Sequence, residues 1–138
     1  MVDFQKNNDF IELKPTDTDA YDNVVSQLLI ADETVEECFH TVRDGIVFTN
    51  YRIILIDIQG VTGKKRDITS LPYKRIRAFS LETAGVMEFN CRLEILFSGI
   101  GKVYFTFTSG TDVESLYRLI SEFTLKWFIA IIKKQLPL

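Results

Sequence analysis

The sequence predicts a mainly β fold with added α: a seven-stranded antiparallel barrel or sandwich, capped by a C-terminal α-helix and preceded by an N-terminal helix. Three observations predict it. Short apolar runs follow one another from Val35 to Thr108, separated by turn signals. Such an unbroken run of strands points to a barrel or sandwich rather than to a βαβ fold. From Val113 the apolar spacing changes to that of a helix.

The elements follow in order. Met1–Thr18 is polar, with Pro15 near its end, and is expected to be an arm outside the core, leaving 19–138 as the domain. Asp19–Ala31 carries Tyr21, Val24, Val25, Leu28 and Leu29, the stripe of an amphipathic helix that Thr18 or Asp19 can cap. Val35–Val42 is the first strand. Asp44-Gly45 is a hairpin signal, because glycine tolerates the positive φ of such turns. Ile46–Asn50 and Tyr51–Asp57 follow, and the apolar run in the latter predicts burial on both faces. Gly60 and Gly63 bracket a turn. Arg66–Leu71 stops at Pro72, which cannot donate to a ladder. In Ile76–Thr83, alternation aims Phe79 and Leu81 at the core, and Ala84-Gly85 closes the strand. Cys91–Phe97 and Lys102–Thr108 form a hairpin across Ser98-Gly99-Ile100-Gly101.

Thr111-Asp112-Val113-Glu114 has the form of a capping box, with Thr111 as N-cap. One apolar stripe follows through Val113, Leu116, Tyr117, Ile120, Phe123, Trp127 and Ile131, enough to plug the open end of the barrel. A second begins at Leu125 and continues through Phe128, Ile129 and Ile132, with Leu136 beyond. One core cannot use both faces of a helix. The second stripe is therefore expected at an interface, with another copy of the chain or with the N-terminal helix.

Composition narrows the function classes. The 138 residues are 46% hydrophobic and 12% aromatic, enough for one core without disulfides or metal. The formal net charge of −3 argues against nucleic acid as a partner. No signal peptide is legible, and the longest nearly uncharged apolar run, Trp127–Ile132, falls short of the roughly 18–20 residues of a membrane span. Cys38 and Cys91 have no metal-ligand spacing and read as reduced core residues of a cytoplasmic protein. Charge is uneven. Residues 1–40 hold ten acids against Lys6 and Lys14, while 64–77 hold six bases (Lys64, Lys65, Arg66, Lys74, Arg75, Arg77) against Asp67. This asymmetry can orient a partner or a second copy.

The stretches Arg43-Asp44, Phe48–Arg52, Asp57–Lys65, Leu71-Pro72-Tyr73 and Phe79–Gly85, in this order and spacing, resemble a bacterial pleckstrin-homology (PH)-like family, formerly a domain of unknown function. The likeness covers roughly residues 20–135. Met1–Thr18 lies outside the pattern, and Met87-Glu88-Phe89-Asn90 departs from it. The resemblance implies a PH fold and ring-like homo-oligomers, with no enzymatic activity, no cofactor and no functional residues to carry over.

No catalytic constellation competes with that reading. His40, the one histidine, has no second ligand or nucleophile at useful spacing. Gly60–Lys65 superficially resembles a phosphate loop but lacks the GxxxxGK[ST] spacing and opens no helix. Glu82 has no paired acid. In phosphoinositide-binding PH domains, bases near the first loop hold the phosphates. Here that loop, Arg43-Asp44-Gly45, has one base and one acid. The six bases remain a candidate surface for an anionic or protein partner. Peripheral attachment to anionic membranes is the alternative, with Trp127, Phe128, Lys126, Lys133 and Lys134 at the interface.

Overall fold

In the computed structural model, residues 1–4, 10–83 and 91–135 are described, the last nine as backbone alone. Among the described residues, eight strands form two antiparallel sheets. The first runs β1 (Lys14–Thr16), β2 (Val35–His40), β3 (Gly45–Thr49), β4 (Arg52–Gln59), β5 (Lys65–Pro72) in spatial order. The second is β6 (Ile76–Glu82), β7 (Cys91–Phe97), β8 (Gly101–Phe107). A short helix, α1 (Asp22–Val25), lies between β1 and β2, and a long one, α2 (Val113–Gln135), ends the fold. The predicted mainly β sandwich with a C-terminal helix is the observed architecture, and all seven predicted strands are present.

The sheets enclose the main core. Phe39, Phe48, Ile53, Leu55 and Leu71 meet Leu93, Ile95, Phe97, Val103, Phe105 and Phe107 across it. Phe39 stands edge-on to both Phe48 and Phe107, at centroid distances of 5.7 and 5.0 Å. From α2, Val113, Leu116 and Ile120 enter this core, and Phe123 stacks on Tyr73 at 5.7 Å. Tyr73 sits in a 3₁₀ turn (Tyr73–Arg75) that joins the sheets. Its hydroxyl donates to the Thr49 carbonyl at 2.7 Å, which gives the buried polar atom its partner.

β4 is buried on both faces, as its unbroken apolar run predicts. Ile53 and Leu55 face the main core; Ile54 and Ile56 face a second cluster with Cys38, Val47 and Val25. Residues 17–33 cover that cluster as a strap. The strap is less helical than its stripe suggests: only Asp22–Val25 are α-helical, and neither Thr18 nor Asp19 makes a side-chain cap. Turns flank the helix, and Asp32 takes a positive φ of 66° where the strap turns back into β2.

Three other expectations are corrected. The lead-in is core: Val2, Phe10 and Leu13 are buried. Leu13 lies beside β8, its N–H donating to Thr106 O at 2.8 Å, while Lys14–Thr16 pair with β2. The chain here changes sheets and stitches them together, and a short apolar group, Phe10-Ile11 and Leu13, set in a polar stretch hides that role. The cap of α2 is Asp112, whose Oδ1 accepts from Ser115 N–H at 3.0 Å. Thr111, the expected cap, keeps its buried hydroxyl without a partner. Phe79 and Leu81 do pack on the core, but with Ile76, because a bulge at Arg77 resets the alternation. Ala84-Gly85 and Met87–Asn90 lie outside the described residues.

Candidate functional surface

The ladder registers place the hairpin turns. His40 pairs with Gly45 and Gln59 with Lys65, so the β2–β3 and β4–β5 turns share one end of the first sheet. Arg43 ties them together, with Nη2 donating to Gly60 O at 2.6 Å. At the tips stand Val42 and Val61, with relative exposures of 102% and 106%. Lys14, Arg43, Lys64, Lys65 and Arg66 are exposed around them. Between the lead-in and the first turn lies a cleft of about 420 Å³, lined by Ile11, Glu12, Lys14, His40, Thr41 and Arg43 among others. His40 Nδ1 lies 3.0 Å from Thr41 O.

The acids at this end are largely engaged. Asp44 Oδ1 accepts from Ile58 N–H at 2.9 Å, and Asp67 pairs with the Met1 ammonium at 2.8 Å. Gly45 begins β3 directly under Tyr21. A Cβ built there would overlap the Tyr21 ring at Cζ, so only glycine leaves room for the ring. The Tyr21 hydroxyl donates to Asp44 O at 3.3 Å.

The six candidate bases are all exposed, but they do not form one patch. Lys64, Lys65 and Arg66 stand at the start of β5; Lys74 and Arg75 are in the 3₁₀ turn past its end, and Arg77 is at the β6 bulge. The eight residues of β5 separate the two groups by roughly 23 Å at about 3.3 Å per step. The fold instead joins the first group to Lys14 and Arg43. Sequence reasoning missed those two, although two turns separated by two strands of a meander must share an end.

At the opposite end of the sheet is a buried ion pair that no local pattern announced. The Glu33 side chain is 0% exposed and receives Arg52 Nε and Nη2, both at 2.9 Å. Thr49 Oγ1 and Ile30 N–H also donate to it, at 2.7 and 3.0 Å. Burial pushes the carboxyl up, but these hydrogen bonds together outweigh it and hold Glu33 below the ordinary glutamate value. Cys38, under the strap, is pushed up to about 12 by burial and by the nearby Asp22, Glu37 and Asp19, which suits an inert thiol.

On α2, Leu125 is 64% exposed. The Phe128, Ile129 and Ile132 side chains of the second stripe lie outside the described residues, as do those of Trp127, Lys133 and Lys134. Among the described residues no group of His, Cys, Asp or Glu could hold a metal, and no helix is long and apolar enough to cross a membrane. Glu82 is exposed at the end of β6.

A four-stranded meander and a three-stranded sheet, closed by a C-terminal helix, define a PH-like domain. The chain belongs to the bacterial PH domain family, whose profile matches residues 5–124. That match takes in most of the lead-in expected to lie outside the pattern. The chain is similar to the uncharacterized protein YjqA of Bacillus subtilis (strain 168), with 48% identity over 82 residues, covering 59% of this chain and 66% of that one. The match thus spans just under two thirds of that relative. Among solved structures it is similar to a DUF1696 family protein with a pleckstrin-homology domain from Shewanella loihica PV-4. The TM-score is 0.73 at 34% identity, over 82% of this chain and 97% of that one. A pleckstrin homology domain from Shewanella amazonensis SB2B gives a TM-score of 0.62 at 36% identity, covering 79% and 89%.

Proposed function

We propose that this chain is a non-enzymatic PH-like binding module that self-associates and presents a surface to a protein partner. The observation that carries this reading is Leu125. It stands 64% exposed on the helix whose other face, through Val113, Leu116 and Ile120, closes the core. A large apolar side chain at the head of a second apolar stripe favours an interface over a solvated helix face. The second stripe is then the contact between copies, and the exposed bases are free to meet an acidic partner. Light scattering tests it. The wild-type chain is expected at a multiple of 15.9 kDa, and Leu125→Glu is expected to lower the mass with the β-sheet circular-dichroism signal unchanged. An unchanged mass for the variant would remove the helix from the interface.

A further inference from the structure

The cleft between the lead-in and the first turn gathers groups of three kinds: cations, an imidazole and exposed apolar side chains. β1 pairs with β2 so that Lys14 stands directly opposite His40. Opposite residues of an antiparallel pair point to the same face, with Cβ atoms about 4.5–5.5 Å apart. Both line the cleft, and Arg43 joins them from the turn. Its volume of about 420 Å³ falls among those of small-ligand sites, roughly 300–1,000 Å³.

The walls are held in place. Thr41 Oγ1 accepts from Asp44 N–H at 3.0 Å and from Arg43 N–H at 3.4 Å, which fixes the turn. Arg43 Nη2 is anchored on Gly60 O. On the far side Glu12 takes a positive φ of 54°, and its N–H donates to Thr106 Oγ1 at 2.7 Å. Beyond it the chain leaves β8 and enters β1. Neither Lys14 nor Arg43 has a carboxylate within ion-pair distance among the described residues. Of the acids in the lining, Asp44 is buried and accepts from Ile58 N–H, while Glu12 is exposed at the rim. Two permanent cations against one exposed carboxylate favour a ligand of single negative charge, because Glu12 repels a dianion twice as strongly. His40 Nδ1 lies 3.0 Å from Thr41 O. A carbonyl can only accept, so Nδ1 carries the proton and Nε2 of the neutral ring is an acceptor. Ile11 and Val42, 51% and 102% exposed, supply apolar surface.

We infer that the cleft receives the C-terminal end of a peptide chain whose last side chain is apolar. The terminal carboxylate meets Lys14 and Arg43 in charge-assisted hydrogen bonds. The N–H of the last residue donates to His40 Nε2, and its side chain lies on Ile11 and Val42. A small free acid would use the two cations but leave the His40 acceptor without a donor. A phosphate dianion would be opposed by Glu12. The inference rests on the reading that the chain meets a protein partner. It is separate from the α2 contact, so its failure leaves the mass experiment untouched.

The chain has a single histidine, which serves as a built-in probe. N-acetyl-leucine, a minimal mimic of such an end, is titrated into the full chain at fixed pH and ionic strength, and the His40 ring signals are followed by NMR. Saturable shifts are expected. N-acetyl-leucine amide, which lacks the charge, is expected to bind at least tenfold more weakly. Lys14→Gln, at an exposed position, is expected to weaken N-acetyl-leucine at least fivefold. Inorganic phosphate is expected to bind more weakly than N-acetyl-leucine, and Glu12→Gln to narrow that difference. The comparison of acid with amide uses the wild-type chain, so it stands whatever the fold of the variants. No saturable shift, equal binding of acid and amide, or unchanged affinity in a folded Lys14→Gln overturns the site. Equal binding of 3-methylbutanoate, which has the carboxylate and the branched chain but no N–H, assigns the cleft to small free acids and overturns the chain end. Phosphate binding more tightly than N-acetyl-leucine overturns it in favour of a phosphate ligand.

Discussion

Gly45 and Tyr21 show how one missing atom positions a larger piece of chain. The ring lies where a Cβ on residue 45 would be, and its hydroxyl reaches Asp44 O. Gly45→Ala must expel the ring or strain the strand. Overpacking of this kind costs about 1–3 kcal/mol, measured by chemical denaturation. Tyr21→Ala also destabilises the fold, by uncovering the second cluster. In the double variant the clash has no second partner, so its loss should be smaller than the sum of the two single losses. Strict additivity would show that the ring and the glycine do not oppose each other. Asp44-Gly45 has the form of a turn signal in the sequence, but Gly45 is not in a positive-φ conformation. The sequence marks the glycine and misassigns its reason, because the residue that requires it is twenty-four positions earlier.

The strap is an element held less by helix than by one charge pair. Its α-helix is a single turn, so propensity contributes little. The Glu33 carboxylate is fully enclosed and bound by four donors, while Arg52 keeps 22% of its side-chain surface exposed. Arg52→Met leaves that carboxylate buried without its charge partner. The expected loss is about 3 kcal/mol, the low end for breaking a buried pair, since part of Arg52 already meets water. The sign of the pH effect follows from the lowered Glu33 pKa. The stabilisation is fully present above the ordinary glutamate range and is lost as the pH falls through the lowered folded value. Wild type should lose stability across that window, and Glu33→Gln should lose less. Equal acid sensitivity of the two in denaturation midpoints would show that Glu33 is not the titrating group. None of this was legible in sequence, since Glu33 and Arg52 meet across the fold with no periodic relation between them.

At the scale of the molecule, what could be read was what repeats. Alternation located seven strands, the continuous run Ile53–Ile56 announced a sheet covered on both sides, and the period change after Thr111 announced the closing helix. What could not be read was what occurs once. Phe10-Ile11 and Leu13 are a few apolar residues without a readable period in a polar lead-in, yet Leu13 is completely buried between the sheets. Leu13→Ala should therefore cost about 2–5 kcal/mol, a core-sized loss read from thermal or chemical unfolding. A change under about 1 kcal/mol would place the lead-in outside the cooperative unit. The basic surface divides in the same way. The run from Lys64 to Arg66 is visible in the sequence, but its union with Lys14 and Arg43 exists only after the turns are brought to one end.

The stitch at Leu13 also sets a timetable. Its amide bonds to Thr106 O, its carbonyl accepts from Thr108 N–H at 3.0 Å, and its neighbours up to Thr16 pair with β2. A ribosome delivers Leu13 more than ninety residues before Thr106, the residue that receives its amide. Until then, one side of this segment has nothing to bond. The five-stranded sheet can assemble from local hairpins as they emerge, but the seam stays open until β8 appears. Closure of the sandwich is thus a late and non-local event in the life of each new chain. The interval before it is when the aromatic interior, Phe39 and Phe48 foremost, is open to whatever else is nearby.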